Sequence, residues 1–154
     1  MAAAQGDVQL LSDPVAQTLL ASRQPAHLAY TWTDGTPRVV PIWFTWTGEA
    51  LVFGTPPRAP KLKALRQRED VAVTIDDAGV WPYKALLVRG VATVDLLEDV
   101  VPEYAEAADR YFGPEQGAAW LSQLRGQPMA RVSVSPTWVA VLDFETRFPS
   151  ALSA

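Results

Sequence analysis

The chain contains no cysteine and one histidine, His27. Without cysteine there is no disulfide frame, no thiolate zinc site and no cysteine nucleophile. One histidine leaves no multi-histidine metal site within a single chain. Positive charge is not in excess: 13 Lys+Arg stand against 17 Asp+Glu, a formal charge of −4. The basic footprint of a nucleic-acid-binding domain is therefore missing. No apolar run approaches the ~18 residues that a membrane helix needs. Met1 to Asp7 lacks the basic and apolar regions of a secretion signal. A soluble cytoplasmic protein is expected, with neither nucleic acid nor membrane as partner. There is also no glycine-rich phosphate loop and no G-x-S-x-G nucleophile elbow.

What remains is a chain of 154 residues, 49% apolar, with six tryptophans. That suits one domain with a substantial core and is too apolar for disorder. Residues 1–11 read as a flexible tail, 12–146 as the domain and 147–154 as a second tail. Ser12-Asp13-Pro14 predicts a helix start, with a polar cap and proline in the first turn. From Ala26 the pattern turns to strands: His27–Thr33, the Asp34-Gly35 turn, Arg38–Trp46, the Gly48-Glu49 turn and Ala50–Gly54. These three read as an antiparallel meander. A proline-stiffened loop with Pro56, Pro57 and Pro60 leads into a short helix carrying Leu62, Ala64 and Leu65. Strands over Val71–Ile75 and Tyr83–Leu96 follow, the second with Gly90 inside it, which marks a bulge or bend. Glu98–Phe112 has helical periodicity, Gly113-Pro114 ends it, a shorter helix follows, and Met129–Phe144 is the last strand. Six mostly antiparallel strands with inserted helices predict a closed or split β-barrel, which hides the edges that a flat sheet exposes.

Charge is segregated along this pattern. Arg58, Lys61, Lys63, Arg66 and Arg68 are five of the 13 basic residues and fall within one short stretch. Asp95, Glu98, Asp99, Glu103, Glu106, Asp109 and Glu115 form an acidic region elsewhere. The cations gather at the start of the helix after Pro60, where the helix dipole favours acids. An anion bound between them would remove the conflict, and Thr55 adds a hydroxyl nearby. This points to a phosphate site. The competing reading is a solvated basic helix face. Spacing puts Lys61 and Arg68 on one side with Leu65, and Lys63 and Arg66 on the other.

Aromatics form a second cluster. Trp32, Trp43, Phe44 and Trp46 surround the first hairpin, and Trp81 and Tyr83 lead into the fifth strand. They can stack on a flat ligand, fill a subunit interface or simply fill the core. His27 sits among apolar residues and reads as structural, and Asp76-Asp77 reads as turn chemistry before Gly79. With no catalytic side-chain constellation, an organic cofactor is the expected carrier of any reaction.

Gly35-Thr-Pro-Arg-Val-Val-Pro-Ile-Trp-Phe, then Leu51-Val-Phe-Gly-Thr, Lys61-Leu-Lys-Ala-Leu-Arg, Val71-Ala-Val-Thr-Ile-Asp and Arg89-Gly-Val-Ala-Thr-Val, in that order and spacing, resemble the pyridoxamine 5′-phosphate oxidase-like flavin-binding split-barrel superfamily. The resemblance spans roughly residues 12–145. It implies a six-stranded split barrel, a homodimer, and a cofactor in the groove between subunits. It implies that Lys61 contacts the cofactor phosphate, with Arg58, Lys63 and Arg66 assisting and Thr55 nearby. It implies that Arg38 to Trp43, including Pro41 and Ile42, lines the flat ring, partly through backbone groups. Trp81, Tyr83 and Lys84 are implied contributors from the partner subunit. The chain is shorter than the pyridoxamine phosphate oxidases and lacks their C-terminal substrate signature. It resembles more the branch that binds FMN or the deazaflavin F420 and reduces small organic molecules. The expected function is flavin- or deazaflavin-dependent hydride transfer, with Tyr83 or solvent as proton source. The alternatives are a non-catalytic flavin- or haem-binding barrel, in which haem would use His27 or a non-histidine ligand, and a scaffold without cofactor.

Overall fold

The computed structural model describes residues 3–152. Its first long helix, α1 (Pro14–Leu20), starts where the cap pattern places it. The Asp13 carboxylate accepts the Val15 N–H at 2.9 Å, and Pro14 occupies a first-turn position that needs no donor. The strands are β1 (Ala26–Thr31), β2 (Pro37–Ile42), β3 (Thr45–Trp46), β4 (Leu51–Thr55), β5 (Asp70–Asp77), β6 (Lys84–Leu97) and β7 (Met129–Leu142). Between them lie α2 (Lys61–Gln67), α3 (Pro102–Phe112) and α4 (Pro114–Ser122). All the strands belong to one antiparallel sheet in the order β2-β1-β5-β6-β7-β4-β3.

The split-barrel class holds, but the strand count is seven, not six. The expected strand Arg38–Trp46 divides at Trp43-Phe44, and so the three-strand meander does not form. β2 pairs only with β1, β3 pairs only with β4, and the two halves lie at opposite edges of the sheet. The prolines explain the edge position. Pro37 and Pro41 have the same parity, so both lack a donor toward the same side of β2. Such a strand fits at an edge with those positions facing outward.

Only Trp43 and Phe44 connect the two edges of the sheet. Three Cα steps span at most about 11 Å. The sheet must therefore curl until its edges nearly meet, which makes it a barrel with one split. Phe44 packs inward with Leu28, Phe53, Ile75 and Leu86. Trp43 turns outward to the layer under α3 and α4, where Val52, Val101, Ala108 and Leu121 are buried. Its ring stacks on Tyr111 at 5.1 Å. Arg110 of α3 pins the corner. It donates to the Phe44 carbonyl and, at 3.0 Å, to the Ser22 carbonyl, and its guanidinium lies 5.1 Å from the Phe44 ring.

Several boundaries differ from the sequence expectation for local reasons. The helix read from Glu98 begins at Pro102, because β6 continues to Leu97 and the Asp99 carboxylate takes the Val100 and Gly126 N–H groups instead. The segment read as a loose N-terminal tail carries hydrogen bonds to the sheet. β4 pairs with β7 only as far as Val134. Beyond that point Gly6 donates to the Val139 carbonyl at 2.7 Å, and the Gln5 side chain both donates to and accepts from Val141. Val8–Ser12 forms a 3-10 turn. At the other end Arg147 pairs with Asp13 at 2.7 Å and with Asp143 at 3.3 Å. Burial pushes the Asp143 carboxyl up, but hydrogen bonds from Thr146, Arg147 and Glu145 outweigh it and hold the group well below the usual carboxylate range.

β6 and β7 slip register at Arg89/Gly90, as the strand glycine suggested. A Cβ at Gly90 would lie 2.4 Å from the Ser135 carbonyl oxygen. Backbone cannot retreat as a flexible side chain can. Gly90→Ala is expected to cost about 1–3 kcal/mol in denaturant unfolding. An unchanged midpoint would show that this close approach is not rigid.

Candidate functional site

The split leaves β2 as an edge strand, and α2 lies beside it. Register fixes which β2 side chains share the cleft. Arg38 pairs with Tyr30 and Val40 with Leu28, so Arg38 and Val40 point to the same face as Tyr30. Tyr30, Trp32, Arg38, Val40, Pro60 and Lys61 line an open cleft of about 380 Å³. The cleft brings a β2 arginine and the first residue of α2 to one opening, together with the Tyr30 and Trp32 rings.

Lys61 is the distinctive group. It is half-buried, and burial pushes its ammonium below the usual lysine range. No carboxylate compensates. Among the described residues the ion pairs are Arg131–Glu103, Arg147–Asp13 and Arg147–Asp143, all elsewhere. The first turn of α2 carries no acid, and no side chain caps it. At seven residues α2 is short. The case for an anion therefore rests on the partial dehydration of an unpaired ammonium more than on the helix dipole.

The other basic residues of the cluster disperse. Leu62, Ala64 and Leu65 are the buried face of α2, which sends Lys63 and Arg66 to solvent, and Arg58 is exposed on the preceding loop. Arg68, at the end of α2, donates to the Trp32 carbonyl at 2.5 Å and ties the helix to the β1–β2 turn. Thr55 is buried at the end of β4 and lines a separate apolar cavity of about 290 Å³ with Pro56, Pro57, Tyr104 and Trp120. Trp43 belongs to the aromatic stack on α3, Ile42 packs against the barrel core, and Pro41 is exposed on the opposite face of β2. Trp81 and Tyr83 stand 60% and 43% exposed on the β5–β6 hairpin, in edge contact with each other. Lys84 begins β6 beside them. None of the three lines the Arg38–Lys61 cleft of their own chain.

Tyr30 was not foreseen as a site residue, Val40 only within the Arg38 to Trp43 stretch, and Trp32 only as one of several aromatics. Alternation along β2, counted from Arg38, was the signal that could have found Val40; Tyr30 needed the cross-strand register. His27 lies half-buried on β1 between Pro41 and Thr74, on the face away from Leu28. The Asp77 carboxylate accepts the Gly79 N–H at 2.8 Å, the turn role read from the sequence. Among the described residues no group of three or more His, Cys, Asp or Glu could hold a metal ion, and no helix is long and apolar enough to cross a membrane.

A family model described as pyridoxamine 5′-phosphate oxidase matches residues 12–143. Among solved structures, an F420 reductase is 29% identical, covering 79% of this chain and 93% of its own, with a TM-score of 0.61. A conserved hypothetical protein from Mycobacterium tuberculosis is 18% identical, covering 94% and 91%, with a TM-score of 0.68. A heme binding protein from Mycobacterium smegmatis is 18% identical, covering 86% of this chain and 54% of its own, with a TM-score of 0.60. No curated protein matches the chain.

An unpaired, half-buried ammonium weakens the ligand-free fold. Lys61→Met is therefore expected to leave the unfolding midpoint unchanged or raised, against the typical loss of about 1 kcal/mol for a point substitution. A clear loss of stability would mean that Lys61 has a structural partner.

Proposed function

The chain belongs to the pyridoxamine 5′-phosphate oxidase family, and from that premise we propose that it is an oxidoreductase binding a phosphate-bearing tricyclic cofactor, the deazaflavin F420 or FMN, in the Arg38–Lys61 cleft. The observation that carries this reading is Lys61, a half-buried cation with no acid against it. The F420 reductase at 29% identity supports the deazaflavin.

The residues present fit such a group. Lys61 and Arg38 offer two cations to a phosphate, one as a point charge and one as a planar fork of donors. β2 is an edge strand, so the carbonyls of Val39 and Pro41 and the Val39 N–H on its open side are free to meet a ring edge. Trp32 and Tyr30 offer aromatic faces, and Val40 an apolar wall. When bound, the cofactor supplies hydride transfer to or from a small organic substrate. The protein's own work is to neutralise the phosphate, fix the ring against β2 and exclude water from one side. No carboxylic acid or histidine lines the cleft, so a proton comes from solvent or from Tyr83 of a second copy.

One chain gives an open cleft, and the second wall comes from a homodimer in this reading. The outward face of β2, where Val39 is 67% exposed, and the exposed Trp81 and Tyr83 provide apolar surface for that contact. Arg58, Lys63 and Arg66 form a basic rim that draws the anionic end of the cofactor.

The test is titration of the purified protein with F420 and with FMN, read by absorbance near ~420 nm and ~450 nm respectively. Saturable binding is expected, with Lys61→Ala weakening it roughly 10–100-fold, the scale of a lost charge-assisted contact. A protein that binds neither cofactor, or that shows a Soret band with added haem instead, would overturn the reading.

A further inference from the structure

Arg38 is exposed on an edge strand, and a free arginine there would sample many rotamers. Ordering it on an anion would then cost affinity. In the structure its guanidinium is engaged by neighbouring groups of the turn. The Asp34 carboxylate accepts both the Thr36 N–H at 2.9 Å and the Thr36 hydroxyl at 2.6 Å. The hydroxyl, its own proton committed to Asp34, accepts from the Arg38 Nη1 at 2.6 Å. The same Nη1 reaches the Pro37 carbonyl at 3.2 Å, and the guanidinium lies 5.6 Å from the Trp32 ring centroid. Only Nη1 is used. The Nε and Nη2 donors stay free while the side chain lines the cleft.

The turn that carries this chain of bonds is itself fixed. Trp32 N–H donates to the Thr36 carbonyl at 2.8 Å, and Gly35 N–H donates to the Trp32 carbonyl at 3.0 Å. Arg68 clamps that same carbonyl from the far end of α2, the helix whose first residue is Lys61. The turn that holds Arg38 is thus tied to the helix that begins with Lys61.

We infer that Thr36 and Asp34 are positioning residues, which hold Arg38 with two donors presented to the anion opposite Lys61 before the ligand arrives. This rests on the cofactor reading above. Neither residue touches the ligand; each acts through the Arg38 guanidinium.

The test is a double-mutant cycle on the full-length protein, with F420 and FMN as titrants. Thr36→Val keeps the shape and removes the hydroxyl. It is expected to weaken binding of whichever cofactor the wild-type protein takes by about two- to tenfold, the scale of one side chain that must now be ordered on binding. Thr36→Ser is expected to restore wild-type affinity, and Asp34→Ala to match Thr36→Val. In the Arg38→Ala background Thr36→Val should have no further effect. A purely structural role for the turn would instead make the Thr36→Val loss persist in the Arg38→Ala background, and that additivity would overturn the inference. Lys61→Ala separates the two levels. If it weakens binding while Thr36→Val does not, the positioning role fails and the site stands. If wild-type protein binds neither cofactor, both fall together.

Discussion

Everything in this molecule depends on how the chain turns at Trp43-Phe44. Two residues connect strands at opposite edges of a seven-stranded sheet. That short link forces the sheet to curl, and it also stops the sheet from closing, because the two edges meet at a corner and not along a ladder. The corner needs satisfaction for a carbonyl that no strand partner takes, and Arg110 supplies it. The same arginine reaches back to Ser22, and its neighbour Tyr111 donates to the Gln24 carbonyl at 2.9 Å. So α3 is tied to this corner, and the aromatic pair is shared between two cores: Phe44 inside the barrel, Trp43 outside it. An open backbone edge on β2 is the consequence, and that edge forms one side of the cleft.

The charge distribution acquires its meaning from this geometry. The net −4 is the sum of an acidic helical region and a basic one. Within the basic region the fold separates cations by burial. Arg58, Lys63 and Arg66 face water, where their attraction to a ligand is long-ranged and screened. Lys61 is half-buried without a partner, and Arg38 is held beside two aromatic rings. A basic surface alone would be consistent with many anions. Two cations, two aromatic rings and an edge strand at one cleft are what the proposed ligand, with its phosphate and flat ring, would meet.

Much of the fold was legible in the sequence because its signals are local. Asp13-Pro14 starts a helix, Asp34-Gly35 turns a hairpin, and Gly90 sits where β6 and β7 slip register. The division of β2 from β3 was not legible as such. Arg38–Trp46 is a run of mostly β-forming residues, and the carbonyl at its break is taken by Arg110, far along the chain. Pro37 and Pro41 were the one local hint, since both belong on an open edge. For the candidate site, Lys61 was singled out by charge placed against a helix end and by family resemblance, and the structure adds that it is half-buried in a cleft with Arg38. Tyr30 depended on cross-strand register, which no local pattern reports. Thr55 and Trp43 had the right neighbours in sequence but point away from the Arg38–Lys61 cleft, one into an apolar cavity and one into the stack on α3.

The cofactor proposal puts a phosphate-bearing ring in the cleft between β2 and α2. A crystal structure of the protein grown with F420 tests it most directly. The phosphate is expected between the Lys61 ammonium and the Arg38 guanidinium, with the ring along the open edge of β2 and a second copy covering it. A cofactor bound elsewhere, such as in the apolar cavity beside Thr55, or a phosphate that contacts neither Lys61 nor Arg38, would contradict it.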